Sequence, residues 1–332
     1  MTNTDRKDRQ ADLKEITLFE KPLPVTPVVP LSGDYGDNHF YIKRDDMLPF
    51  SFGGNKVRKA AEFYREIKNS DTDVVMTYGS NSSNHCRIIA NMAASMGLAC
   101  HVISPEENRE RLYNTAFVEQ LGAVIETCPV TKVAETIENR KAAYRREGKH
   151  PYFIIGGGHG RPGTESYVKA YREICAYEKE NGIYFDYIFH ASGTGATQAG
   201  LVCGQLLNED RDRQIVGISI AREQGRGRTV VKDSIREYLG ERFAELYRED
   251  ALLFTDEYRF DGYGNYSGEV LSLIDRVMER EGIPLDTTYV GKAFYGMCAF
   301  LKEHDIKDKN VLFIHTGGTP LYFDLLLKTG RR

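Results

Sequence analysis

The sequence predicts an α/β fold of two lobes, each a mostly parallel sheet covered by helices. Three observations carry this expectation. Short apolar strand-like segments alternate with helix-length segments along most of the chain, which is the pattern of parallel sheets with crossover helices. Glycine- and serine-rich turns stand where strands give way to helices. The 332 residues, 41% of them hydrophobic, suffice for one large core or two lobes. Taken in order, residues 15 to 31 read as extended and are punctuated by Pro22, Pro24, Pro27 and Pro30. A turn at Gly33 to Asn38 leads into a strand, His39 to Lys43. A helix follows Gly54, with Val57, Ala60, Ala61, Tyr64 and Ile67 forming its apolar stripe. Further strands are expected at Asp73 to Thr77, Cys100 to Ile103, Ala123 to Thr127 and Tyr152 to Ile155. Three more are expected at Tyr187 to Ala191, Ile215 to Ile220 and Val311 to His315. Ile88, Ile89, Met92, Ala93 and Met96 mark an amphipathic helix, closed by Gly97 as its C-cap glycine. The expected division is a large domain of residues 1–56 and 161–332 around a small domain of residues 57–160.

Composition narrows the function. A net charge of -4 leaves no electrostatic footprint for nucleic acid. No apolar run approaches the roughly 20 residues that span a bilayer, and Met1 to Lys14 is too polar for a signal peptide. Cys86, Cys100, Cys128, Cys175, Cys203 and Cys298 lack paired spacing, so they read as free thiols of a reducing cytoplasm. They do not form a metal site by pattern.

One lysine organises the chain. In Gly53-Gly54-Asn55-Lys56, two glycines release the backbone and a helix starts, with Lys56 in its first turn and off the apolar stripe. The positive end of the helix dipole, together with Arg58 and Lys59, disfavours an ammonium there. A lysine with a lowered pKa is what carbonyl capture requires. A solvated surface lysine is the competing reading.

Two loops carry further chemistry. Tyr78-Gly79-Ser80-Asn81-Ser82-Ser83-Asn84-His85 joins a strand to a helix, and holds more hydroxyl and amide side chains than one helix cap needs. Backbone N–H groups beside Ser and Asn side chains make a pocket suited to a carboxylate. Ser192-Gly193-Thr194-Gly195-Ala196-Thr197 follows an apolar strand and precedes the helix Gln198 to Leu207. Its N–H groups and threonine hydroxyls suit a phosphate without a lysine in the loop. A dinucleotide fits poorly, because Gln198 replaces the third glycine and no acid follows the next strand. A plain tight turn is the other alternative.

Gly53-Gly54-Asn55-Lys56, Ser83-Asn84-His85, the Gly193 to Thr197 loop, Tyr289-Val290-Gly291-Lys292 and His315-Thr316-Gly317-Gly318 occur together and in order. From about residue 15 to 325, the chain resembles the 1-aminocyclopropane-1-carboxylate deaminase and D-cysteine desulfhydrase family. Its members are pyridoxal-phosphate enzymes of the tryptophan-synthase-β fold type (fold type II). The resemblance implies a small amino-acid substrate, a cytoplasmic enzyme and a homodimer. It implies Lys56 as Schiff-base lysine and proton shuttle, and Asn84 as the partner of the cofactor's phenolic oxygen. Ser83, Asn84 and His85 would receive the substrate carboxylate, and Gly193, Thr194, Gly195, Ala196 and Thr197 the phosphate. Tyr289 and Tyr263 would face the substrate, and Thr316 the pyridine nitrogen.

Departures from the family pattern bear on the reaction. Val290 stands where the deaminases place a glutamate and the desulfhydrases a threonine, and Thr316 follows the desulfhydrases. A neutral partner leaves the pyridine largely unprotonated and the electron sink weak, which favours expulsion of a β-substituent over ring opening. The expectation is therefore a lyase of the D-cysteine desulfhydrase kind. Cyclopropane ring opening, β-replacement and a non-catalytic ligand-binding protein are the alternatives. His159 and Arg161 also depart from the family, and Arg161 reads either as a solvated loop residue or as a contact for an anionic substrate tail.

Overall fold

The structure is a computed structural model and describes residues 18–106 and 111–330. The polar start, Met1 to Lys14, and Arg331 and Arg332 lie outside the described residues. Ten strands occur among them: β1 (Val28–Pro30), β2 (His39–Lys43), β3 (Val74–Tyr78), β4 (Ala99–Pro105) and β5 (Val124–Cys128) come first. They are followed by β6 (Pro151–Ile154), β7 (Tyr187–Ser192), β8 (Gln214–Ser219), β9 (Leu253–Thr255) and β10 (Asn310–Ile314). The fold is α/β with two sheets covered by helices, as expected.

The chain forms two compact units. The larger comprises Val25–Glu62 and Gly157 onward, and the smaller comprises residues up to Pro24 with Phe63–Gly156. The described residues before Val25 lie with the smaller unit, where the expected division put residues 1–56 in the large domain. The cause is local packing: buried Phe19 stacks on Tyr64 with ring centres 5.8 Å apart, and Glu20 pairs with Lys68 at 2.9 Å. The stretch expected to be extended there contains a 3-10 turn, Leu18–Glu20.

The larger unit is built on a six-stranded sheet, order β1-β2-β10-β7-β8-β9, parallel except for the β1 edge. β1 and β9, three residues each, were not anticipated as strands. Runs this short carry too few alternations to show a period. Alternate residues of each strand bury on opposite faces. Phe189, Val216 and Phe313 join the core beneath the helices Gly268–Glu281 and Val290–Glu303. Ile188, Ile215 and Leu312 join the core beneath Arg161–Asn181 and Ala196–Leu207. Each such side chain stabilises the fold by about 1.5–3 kcal/mol when fully buried.

The smaller unit is a four-stranded parallel sheet, order β5-β4-β3-β6. Its β3 is buried over four of five positions, as a strand covered on both faces requires. The helix Asn84–Ser95 follows, ending at Gly97 in the left-handed region, with φ of +70°. All six cysteines are free thiols, and no helix among the described residues is long and apolar enough to cross a membrane.

Candidate active site

Parallel pairing collects distant loops. Lys43 at the end of β2 lies beside Ile314 of β10, which lies beside His190 of β7. The segments after those strands therefore leave the same edge of the sheet, where α/β proteins place their ligands. Gly54 has φ of +102°, and a side chain there would meet the Thr316 carbonyl oxygen at 2.8 Å. The Asn55 N–H donates to that oxygen (3.0 Å), and Asn55 Nδ2 donates to Thr197 Oγ1 (3.1 Å). Lys56 Nζ donates to Asn55 Oδ1 at 3.0 Å. One asparagine thus joins Lys56 to Thr197 and Thr316, which stand 142 and 261 residues after it in the chain.

Lys56 opens the helix Asn55–Lys68 after three consecutive non-glycine residues with positive φ, Phe50, Ser51 and Phe52. Such residues cost of order 1–3 kcal/mol each, a strain found at functional sites. Burial lowers the Lys56 amine to about 8. The sequence points to the helix dipole with Arg58 and Lys59; burial is the leading cause, and the Arg58 guanidinium is already paired. That guanidinium is held by Asp45 at 2.8 Å and Glu173 at 2.7 Å. Tyr167 and Lys43 complete the buried network through Asp45 and Glu173 respectively. Burial alone would raise Asp45, yet Arg58 and Lys43 hold it down at about 2. Removing one partner from such a buried pair costs about 3–5 kcal/mol, so the network fixes the start of the helix that bears Lys56.

A pH dependence follows. Below about 8 Lys56 holds its proton and cannot attack a carbonyl, whereas above it the amine is free. The rate at which apo-protein captures pyridoxal phosphate, followed by visible absorption, is expected to rise with pH to a midpoint near 8. A midpoint near the ordinary lysine value would overturn the burial argument.

The Gly193–Thr197 loop enters the helix Ala196–Leu207, whose N-cap, Gly195, supplies no side-chain hydrogen bond. Its first-turn N–H groups are thus not capped from Gly195. Sequence reasoning missed the cation that accompanies it. Lys59 is buried and its Nζ donates to the Gly157 carbonyl at 3.1 Å. Among the described ion pairs no carboxylate meets it, and burial followed by repulsion from Lys56 lowers its pKa well below the usual lysine value. An anion would relieve both penalties. His159 Nδ1 donates to the Thr194 carbonyl at 3.1 Å, tying the same glycine turn to the loop. Lys59 follows Lys56 by three residues and so shares its helix face, which is the signal that could have found it. This donor set, with a lysine amine near neutrality, fits pyridoxal phosphate. Arg161, at the start of the helix Arg161–Asn181, donates to the Tyr238 carbonyl and stacks on its ring.

Tyr263 and Tyr289 come together with their hydroxyls 2.5 Å apart. Lys292, one turn after Tyr289, explains how the Tyr263 loop is held. Its buried ammonium donates to the carbonyls of Ile220 (3.2 Å), Arg259 (3.1 Å) and Gly262 (2.8 Å), using all three hydrogens. Asp286 accepts the N–H groups of Thr288, Tyr289 and Val290 and so caps the helix Val290–Glu303. The Val290 side chain is fully buried in the apolar core.

The smaller unit carries the other loop. Ser83 is the N-cap of Asn84–Ser95 and accepts the Cys86 N–H at 3.2 Å. The His85 ring turns to the sheet. Thr77 Oγ1 spends its one hydrogen on the Ile154 carbonyl (2.8 Å), so His85 Nε2 must donate to Thr77 Oγ1 (2.8 Å). That ring faces Thr77, which leaves the backbone N–H as the group of His85 able to meet a carboxylate. Asn84 Oδ1 accepts from Arg87 and from Asn114.

A lysine at a helix start, tied through one asparagine to a glycine–threonine loop at another helix N-terminus, is an arrangement able to capture a phosphorylated carbonyl compound. Residues 16–317 match the family model described as pyridoxal-phosphate dependent enzyme. A Pyrococcus horikoshii protein provisionally named 1-aminocyclopropane-1-carboxylate deaminase is 34% identical, covering 94% of each chain. A D-cysteine desulfhydrase of Klebsiella pneumoniae is 29% identical, covering 93% of this chain and 95% of the relative. A crystal structure of a 1-aminocyclopropane-1-carboxylate deaminase homologue superposes with a TM-score of 0.81 at 33% identity, over 91% of this chain and 93% of that one. The chain belongs to the pyridoxal-phosphate-dependent enzyme family.

Proposed function

We propose that the protein is a lyase acting by α,β-elimination on a small amino acid, releasing a 2-oxo acid and ammonia, with D-cysteine the leading substrate. The observation that carries this reading is the pair Thr316 and Val290. One offers a neutral hydroxyl and the other buried methyl groups, so neither supplies a carboxylate to a ring nitrogen. Bound pyridoxal phosphate supplies an electron sink for the pair released at Cα. Thr316, as a neutral partner of the ring nitrogen, leaves that sink weak, so departure of a β-substituent with its electron pair is favoured.

In this reading Lys56 Nζ takes the Cα proton, and Asn55 Oδ1 holds the amine in place. Ser83 with the backbone N–H groups of Asn84 and His85 receives the substrate carboxylate. Asn84 Nδ2 would donate to the cofactor's phenolic oxygen. The N–H groups of Gly193 to Thr197, with Lys59, would hold the phosphate. The Tyr263 and Tyr289 hydroxyls, which meet each other, would face the substrate and supply the proton to the departing group.

Cyclopropane ring opening is the second reading, favoured by the name of the Pyrococcus horikoshii relative. A screen for 2-oxo acid release decides between them, using D- and L-cysteine, cysteate, serine, diaminopropionate and 1-aminocyclopropane-1-carboxylate. The expected result is release from a β-substituted amino acid, with D-cysteine fastest. Efficient release from the cyclopropane amino acid alone would sink the elimination reading.

A further inference from the structure

Asn84 carries one oxygen and one NH2 group, and the two ends would do opposite things to a bound anion. Which end faces outward is decided by a buried network in the smaller unit. We infer that Arg87, acting with Asn114, is the positioning residue that locks the Asn84 amide with its oxygen inward and its NH2 outward.

Arg87 is fully buried one helical turn after Asn84. Its Nη1 donates to Asn84 Oδ1 at 2.9 Å and to Asn114 Oδ1 at 2.6 Å. A guanidinium has donors and no acceptor, so both asparagines must turn an oxygen toward it. Asn114 Nδ2 then donates its two hydrogens to the Ser82 carbonyl (2.8 Å) and to Asn84 Oδ1 (3.1 Å). The Ser82 carbonyl can only accept. The network is therefore read the same way from both ends, donor-only at Arg87 and acceptor-only at Ser82. Asn84 Oδ1 takes two donors, while its Nδ2 makes no hydrogen bond to a described residue. A flipped Asn84 would lose both bonds and set its NH2 against two donors. The same network braces the carboxylate loop, because Thr115 Oγ1 donates to the Asn81 carbonyl at 3.0 Å. Asn114 and Thr115 are neighbours at the start of the helix Tyr113–Gln120.

The functional consequence rests on the reading that Asn84 meets the cofactor's phenolic oxygen. An outward NH2 stabilises the phenolate, whereas an outward oxygen would repel it. The test is a pH titration of the visible absorption of holoenzyme, a property that a purely structural role for Arg87 would not move. Arg87→Met is expected to raise the midpoint by about one pH unit and to weaken pyridoxal phosphate about tenfold. Asn84→Ala should do the same, and the double variant should add nothing, since both remove one interaction. Arg87→Lys, still donor-only, should restore part of the shift.

A shift in Asn84→Ala with a wild-type midpoint in Arg87→Met would overturn the role of Arg87 and leave Asn84 as the cofactor's partner. Additive shifts in the double variant would likewise overturn it. No shift in Asn84→Ala would remove the reading of Asn84 and this inference with it. Should Arg87→Met fail to fold by circular dichroism, Asn84→Asp decides. That carboxylate keeps its bond to Arg87 but faces the phenolate with an oxygen, so the midpoint should rise further than in Asn84→Ala. An unmoved midpoint would mean that an oxygen already faces outward.

Discussion

Lys56→Ala protein is expected to purify without the visible band of bound pyridoxal phosphate, and borohydride should fix no cofactor to it. Turnover should fall by about 10³-fold or more, since one residue is both the covalent anchor and the base. The structural grounds are specific. Lys56 is a lysine with its amine lowered to about 8, and Asn55 connects it directly to Thr197 of the anion loop. Three other lysines among the described residues, Lys43, Lys59 and Lys292, are buried; Lys43 is paired with Glu173, and the other two already donate to backbone carbonyls. A visible band that survives in Lys56→Ala and disappears in Lys59→Ala would move the anchor by one helical turn and refute the assignment.

Gly195→Val is expected to weaken pyridoxal phosphate by roughly 10- to 100-fold, measured by fluorescence on reconstituting apo-protein. Two effects add. Gly195 has φ of +98°, a conformation that costs a residue with a side chain roughly 1–2 kcal/mol. Its new Cβ would also stand 3.2 Å from Val230 Cγ1 and 3.3 Å from Val231 Cγ2, so the backbone must move away from the position that presents its N–H. Gly195→Ala carries the same backbone strain and Cβ contacts without the two γ-methyl groups and should fall in between. Unchanged affinity in Gly195→Val, with the fold intact, would show that the phosphate is held elsewhere.

Sequence alone determined the parts whose signal is local. β2 runs from His39 to Lys43 as the alternation there indicates, and the other longer strands fall within a residue or two of their apolar runs. The stripe from Val57 to Ile67 is buried at each position, because a 3.6-residue repeat needs no knowledge of the partner it packs against. The five motifs and the cofactor class were readable for the same reason, being short strings whose spacing is set within one loop and one helix start.

Tertiary structure decided what depends on strand order. Nothing in the sequence places β10 between β2 and β7, and only that order sets Thr316 against Asn55 and Asn55 against Thr197. It also decided the electrostatics. Arg58 and Lys59 are equivalent cations by sequence, yet Arg58 is neutralised by Asp45 and Glu173 whereas Lys59 is buried against the Gly157 carbonyl. Arg161 reads two ways by sequence, and only the fold sets it against the Tyr238 carbonyl and ring. Burial and pairing are sums over residues far apart in the chain, so their sign at any one side chain exists only once the chain has folded.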